Sequence, residues 1–572
     1  MKKNIPYLLT IAALVLCITT AQAQQKRVVQ FIGGARSFMA NNQISVQDTI
    51  PDTTTVKRNT GGYALLDLGV NIKPNKNTEI LGMFRILNNY GGFWGSGVTF
   101  SVRQLSLKGV VGDVVRYQVG DMNIKQTPFT LYNHNADRID SLPVVFDLQQ
   151  DIVKYEKFFQ KNTWRQQGVN VDFGFKFAKY IQELNFTGYT TRLQATDFGS
   201  TPDRLMSGAT VSLMQSKHLK LGFNGFYVYD LKGTTPDTSY YNNTVQSVNV
   251  AYIKDVKNLH LEAKAETGNS QVFTTKNYQA SYLSDYFIHA YVNIALIEQN
   301  ISFTGGYLDV GPDFRSIGAQ SKNVNYAATP NFYDRYTNKQ INRPLGILDI
   351  IRNDNLYSAG VSTQLMPQNA VYNNVMPFGI ATFNRAGFFG KINYRSPKGI
   401  TVNAEHFSLS EIRGQGTLKL KQFTQNKVVS VLDLNKLLGF EKMFKVQLGV
   451  NYQTTNRNSD FEGEKVALNS MQYHAGFEVE VLSKIDVLGG LVSMNTKGND
   501  FFADRNQYST VELLTNQKFN LAQQLMAFGT RCRFNEKVYL CAMYQMHSYN
   551  DRTQTLPSYN VNQFSIIYNM TF

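Results

Sequence analysis

Seven histidines, at positions 134, 218, 260, 289, 406, 474 and 547, are the side chains best suited to proton transfer or metal ligation. They are scattered. None forms an HExxH helix pair, and no cysteine stands beside one at metal-ligand spacing, so neither a metal site nor a cofactor is expected. Gly91-Gly92-Phe93-Trp94-Gly95-Ser96-Gly97 has the composition of a turn and matches no phosphate-cradling pattern, and the chain has no GxSxG nucleophile elbow. One pair could do chemistry: in His406-Phe407-Ser408 the imidazole and the hydroxyl share one face of an extended segment with Ile400, Val402 and Ala404. A histidine there could activate the serine, provided a third group oriented the ring. No such group can be placed from the sequence, and a polar residue at the edge of an apolar belt accounts for the pair. No catalytic residues are assigned, and the chain is not expected to be an enzyme.

The other candidate chemistry is electrostatic. Where side chains alternate faces along extended segments, one face collects Lys176, Lys220, Lys264, Lys391, Arg395, Lys419, Lys421 and Lys445, with Asp172, Glu262, Glu266, Glu405, Glu478 and Glu480. Dispersed charges on a polar wall can line a water-filled passage. The small basic excess predicts weak anion preference unless a narrower point decides it. A further set, Asp137, Arg138, Asp140, Asp147 and Asp151, lies in a long connection that could form such a constriction.

The elements that carry these residues are short alternating segments. Val169, Val171, Phe173, Phe175 and Phe177 oppose Asn170, Asp172, Gly174 and Lys176. Phe444, Val446, Leu448, Val450 and Tyr452 oppose Lys445, Gln447, Gly449 and Asn451. Met471, Tyr473, Ala475, Phe477 and Val479 oppose Gln472, His474, Gly476 and Glu478. Each has one apolar and one polar wall. Short turns are expected at 74–77, 178–180, 216–218, 255–258, 483–485 and 535–537. Long polar connections alternate with them: 40–61, 89–98, 123–163, 195–205, 231–243, 268–280, 311–355, 456–469, 497–522 and 550–559. The segments number about 22, within a range of 18–24 that depends partly on whether Tyr357–Leu365 and Phe378–Phe383 are strands. One helix interrupts them: Leu148, Ile152, Tyr155 and Phe159 make an amphipathic stripe over 145–160, inside the 123–163 connection. It could fold inward or lie on the rim.

Residues 1–23 read as a signal peptide, with Lys2-Lys3, an apolar run from Tyr7 to Thr20 and Ala21-Gln22-Ala23 before Gln24. The remainder, 24–572, reads as one domain. Its two cysteines, Cys532 and Cys541, fall on opposite faces of the final hairpin, which disfavours a disulfide. The formal charge is +15, or +13 once Lys2 and Lys3 are removed. No basic run with interleaved aromatics suggests a nucleic-acid groove.

The last stretch carries the most specific signal. Phe564, Ile566, Tyr568, Met570 and Phe572 share one face, and Gln563, Ser565, Asn569 and Thr571 the other, with Ile567 the exception. This resembles the closing strand of bacterial outer-membrane β-barrels, whose terminal Phe and alternating aromatics are read by the barrel-assembly machinery. The resemblance implies an all-β protein, a transmembrane antiparallel barrel in the outer membrane with long outer loops. It also implies contact with outer-membrane lipid and lipopolysaccharide, and a porin-like role in passive passage of small hydrophilic solutes. An alternative is a structural or accessory barrel of a surface secretion or assembly machine, its lumen occluded by its own loops. A third, suggested by the similarity of His406-x-Ser408 to the His-x-Ser of outer-membrane phospholipases, is a lipid-face hydrolase, although that family's glycine-rich motif is missing.

Overall fold

The computed structural model describes residues 28–46, 57–91, 97–132, 142–157, 166–235, 239–276, 279–328, 343–505, 511–553 and 558–572. Asp137, Arg138, Asp140, His134, Phe159 and the signal segment lie outside them. Twenty-two antiparallel strands pair with their neighbours in chain order, and the first (Val29–Val46) pairs with both the second (Lys57–Asn75) and the last (Tyr559–Thr571). The seam runs from Gly34 opposite Thr571 to Val46 opposite Tyr559, so the sheet closes on itself. Closure satisfies every strand's hydrogen-bonding groups internally, which is what hydrocarbon demands.

Alternation fixes which way each residue points. Phe564, Ile566 and Phe572 stand on the outer surface, while Gln563, Ser565 and Ile567 are buried inside. The same outward apolar face recurs at Val169 and Phe175, at Leu448 and Val450, and at Met471 and Phe477. A continuous apolar surface of this kind belongs in lipid. The protein is a transmembrane barrel of the outer-membrane type.

Connections at one rim are tight. Gly112 and Asp113 both take positive φ (59° and 58°), the conformation that lets a two-residue turn follow the twist of its strands. Connections at the other rim are long. By the usual sidedness of such barrels the tight rim is periplasmic, and the first strand begins and the last strand ends there. The predicted turns at 74–77, 178–180, 216–218, 255–258, 483–485 and 535–537 are all present. Two predicted long connections are instead largely wall: 268–276 and 279–280 belong to strands Leu259–Lys276 and Gln279–Leu296, and much of 497–522 to Ile485–Arg505 and Val511–Asn535. These strands run on beyond the apolar belt with polar side chains, which read as loop in sequence. Tyr357–Leu365 and Phe378–Phe383 are not wall strands: Tyr357 makes a single bridge to Val324, and Pro377–Ile380 is a short extended piece outside the barrel sheet.

Candidate functional site

A barrel of this many strands is too wide for wall side chains alone to fill. Two inserts enter the lumen. One runs between strands Val115–Met122 and Gln166–Lys176 and contains helix α1 (Val144–Lys157). The other spans 311–384, between strands Ile301–Val310 and Arg385–Arg395.

Helix α1 is where the apolar stripe predicted a helix, and it folds inward. Val145, Phe146, Ile152 and Val153 are buried in a cluster with the inner-wall residues Leu488, Val492, Leu525, Cys541 and Ile567. Its start is seated by glycine: Gly476 and Gly490 are cross-strand partners, and a Cβ on them would lie 2.3 Å from Pro143 Cβ and 2.7 Å from Phe146. The other end is held by charge. Arg36 Nη1 donates to Glu156 Oε1 at 2.6 Å, Tyr63 donates to the same carboxylate, and Arg85 donates to the Glu156 carbonyl at 2.9 Å. Buried Asp67 holds Arg85 and Arg103 at 2.7 and 2.9 Å, which leaves the three arginines with two carboxylates.

The 311–384 insert crosses to the same wall. Ile347, Leu348, Ile350 and Ile351 join the α1 cluster, and Arg343 and Asp349 form a buried pair with contacts of 2.6 and 2.7 Å. Burial works against the Asp349 carboxylate, but Arg343 outweighs it and holds the group below the usual carboxylate range. Arg343 also donates to the hydroxyl of wall residue Tyr559 at 3.1 Å. Towards the opposite wall, Phe314, Ile317, Val375 and Met376 pack with Phe226, Phe287, Phe389 and Phe423.

Two cavities with charged and polar residues among their lining adjoin the second pack. The outer one, about 370 Å³, is bounded by Arg385, Glu411, Lys421, Asp500 and Arg505, residues at the long-loop ends of their strands or beside them. The inner one, about 700 Å³, is bounded by Asn249, Glu262, Lys264, Asn293, Thr304 and Lys391 in the periplasmic half. Pro377, Phe378, Thr382 and Phe383 line the outer cavity and Ile380 the inner, so a seven-residue segment of the insert separates them.

The charges expected on the lumen wall are mostly paired. Asp172 meets Arg116 at 2.5 Å, Lys391 meets Glu405 at 3.3 Å, and Lys264 contacts Glu262. Glu480 meets Arg533 at 3.2 Å, Glu478 contacts Arg531, and Lys421 meets Asp500 at 2.6 Å. Lys445 stands across from Glu478. Lys176, Lys220 and Arg395 sit beside tight turns at the periplasmic rim, while Lys419 is exposed in the 411–421 connection and no strand carries it. Asp151 is exposed on α1 beside Lys154 (3.5 Å), and Asp147 lies in the helix's first turn. Arg36, Arg103, Arg531 and Arg533 were missed in sequence; strict alternation would have placed Arg36, Arg531 and Arg533 inside, whereas Arg103 is brought there by a bulge next to the buried Gln104. Insert residues Arg315 and Arg343 carried no periodic signal.

His406 does have a polar neighbour: its Nδ1 lies 2.8 Å from Asn426 Oδ1 on the adjoining strand, facing outward. Ser408, two residues along, makes no hydrogen bond to the ring among the described residues, so the group is not assembled as a nucleophile and base. Cys532 and Cys541 are free, the first facing outward and the second buried inside, as the final hairpin's pattern implied.

No family model and no curated protein matches this chain. Solved outer-membrane barrels do resemble it in fold. The outer membrane protein OpdK from Pseudomonas aeruginosa is 9% identical with a TM-score of 0.33, covering 94% of this chain and 99% of its own. An FrpB iron transporter from Neisseria meningitidis is 9% identical with a TM-score of 0.44, covering 94% and 81%. The outer membrane channel DcaP of Acinetobacter baumannii is 9% identical with a TM-score of 0.28, covering 95% and 97%. The chain is similar to them as one large antiparallel barrel is to another.

Proposed function

We propose that the protein is a porin-like barrel that passes small hydrophilic solutes across the outer membrane by a narrow, polar path along one side of its lumen. The observation that carries this reading is the pair of cavities, each bordered by charged side chains, on either side of the Pro377–Phe383 segment. The path needs no cofactor and no chemistry, only displacement of that segment. Outer-membrane lipid and lipopolysaccharide are its surroundings, and the terminal Phe564–Phe572 face is the feature offered to the assembly machinery.

Planar-bilayer recording tests it. The wild type is expected to give small, discrete conductance steps. Ile380→Ala with Phe383→Ala, which trims both sides of the segment, is expected to enlarge them. A second reading, an accessory barrel with a packed lumen, is favoured by the apolar clusters that join both inserts to the wall. Complete absence of conductance in both proteins would decide for it.

A further inference from the structure

Two opposite charges stand side by side in the outer cavity without meeting. On strands Arg385–Arg395 and Ile400–Ser410, Ala386 lies opposite Ser410, and the next step of that register puts Arg385 opposite Glu411. Both side chains are buried, and both line the cavity. Opposite charges at facing positions attract each other and commonly bridge. Here neither residue makes a salt bridge among the described residues.

Each is held by other groups. Arg385 Nε donates to the Val375 carbonyl (3.1 Å), Nη1 to that of Asn384 (3.0 Å) and Nη2 to that of Asn374 (3.5 Å), and its Cζ lies 3.5 Å from the centroid of the Phe423 ring. A guanidinium carries five N–H donors, so two remain. Glu411 Oε2 accepts from the Lys421 N–H at 2.9 Å, and Oε1 has no hydrogen bond among the described residues. The Lys421 ammonium is engaged elsewhere, with Asp500 at 2.6 Å and the Phe501 carbonyl at 3.0 Å. The cavity is thus bordered by a guanidinium with spare donors and a carboxylate with a spare acceptor. Its lining as a whole favours neither sign: Arg385, Lys421 and Arg505 face Glu411, Asp500 and Asp504. A lone anion bound here would gain Arg385 but meet Glu411 as a like charge, and a lone cation the reverse. A solute carrying both charges gains from both groups.

We propose that the outer cavity binds a small zwitterion, a free amino acid or short peptide, with its carboxylate on Arg385 and its ammonium on Glu411. This deepens the porin-like reading, on which it rests for passage but not for binding.

Saturation-transfer NMR on the full-length, detergent-solubilised barrel tests it. Alanine and dialanine are the probes, since they space the two charges differently; propionate, ethylamine and glucose are the controls, at constant ionic strength. Saturable transfer is expected to at least one zwitterion, with each control binding at least tenfold more weakly. Glu411→Gln is expected to weaken the zwitterion at least tenfold and to strengthen propionate, which no longer meets a like charge. Arg385→Gln is expected to weaken the zwitterion and to strengthen ethylamine. Where a variant does not yield a heat-modifiable barrel, the wild-type comparison of the zwitterions with propionate and ethylamine still decides. No saturable transfer to either zwitterion, equally tight binding of a control, or wild-type affinity in Glu411→Gln would each overturn the proposal. A barrel that binds zwitterions without conducting keeps the site and loses the porin-like reading, whereas one that conducts without binding them loses the site alone.

Discussion

Arg343 is the residue whose loss should most clearly free the lumen's contents from the wall. Its side chain and that of Asp349 are almost wholly buried, at 0% and 2% exposure, and they are joined by two short contacts. Replacing Arg343 with Met keeps most of the volume but removes the main partner of the Asp349 carboxylate, leaving it the Gly346 N–H at 2.9 Å and the charge of nearby Arg352. Breaking one side of a buried pair costs about 3–5 kcal/mol. Because the barrel ladder does not depend on this pair, the cost falls on docking of the insert rather than on global stability. At about 1.4 kcal/mol per decade, local opening should rise about 10²–10³-fold. Amide hydrogen exchange of residues 344–356 in lipid nanodiscs measures it, with the wall strands as internal reference. Arg343→Met/Asp349→Leu removes both charges and should return most of the protection. Unchanged exchange at 344–356 in Arg343→Met, or failure of the double variant to recover, would refute the view that this pair clamps the insert.

The other expectations are simpler. Gly476→Val or Gly490→Val places a side chain where Pro143 and Phe146 sit; overpacking of about 1–3 kcal/mol should loosen α1, read as faster proteolysis within the 123–165 insert while the barrel stays heat-modifiable. The Asp349 carboxylate is held below its ordinary value by Arg343, so its contribution is complete above about pH 3.9 and lost only as pH falls through the lower folded value. Exchange at 344–356, corrected for intrinsic rates, should thus match at pH 7 and 5 and rise below 4; a rise between 7 and 5 would contradict this. Removing Tyr568–Phe572 deletes the seam pairs from Gly34 opposite Thr571 to Ser37 opposite Tyr568. Cell fractionation should find that chain degraded in the periplasm, and normal insertion would show that the terminal face is not the assembly signal.

The wall was legible because its information is local. A residue's face follows from parity, and parity survives along a strand whatever the neighbours are, so Phe564, Val169 and Leu448 could be placed outward from sequence alone. The tight turns were legible for the same reason. Strand ends were not: beyond the apolar belt both faces are polar, and 268–276 looks like a loop even though its backbone remains paired. The insert was illegible in a deeper sense. Arg343, Asp349 and Tyr559 are brought together over more than 200 residues of chain, and no periodicity relates them. Charge counting also misled, since Lys264 and Lys391 are matched by partners on their own or adjoining strands, and Glu478 and Glu480 by arginines two strands away. The sequence offers a net excess where the fold offers pairs.

The inner face nevertheless records where the inserts sit. In a water-filled sector the inward positions should be polar, and around the inner cavity many are: Asn249, Glu262, Lys264, Asn293, Ser302, Thr304 and Lys391, with Phe389 and Phe407 beside them. Elsewhere apolar residues break the rule. Val492 stands opposite Leu525, and Cys541 opposite Ile567, on four consecutive strands at the end of the chain, and all four are buried against the contents of the lumen. Ile567, the one exception in the otherwise clean alternation of the last strand, is thus part of a dry patch, since water on that face would leave its apolar surface uncompensated. Stretches with both faces apolar mark where the barrel grips its inserts, and stretches with a polar inner face mark where it leaves room. Around the inner cavity both occur on the same strands at different heights: Asn249, Asn293 and Thr304 lie in the periplasmic half, while Phe287, Leu308 and Phe407, nearer the long-loop ends, pack in the second apolar cluster with the insert.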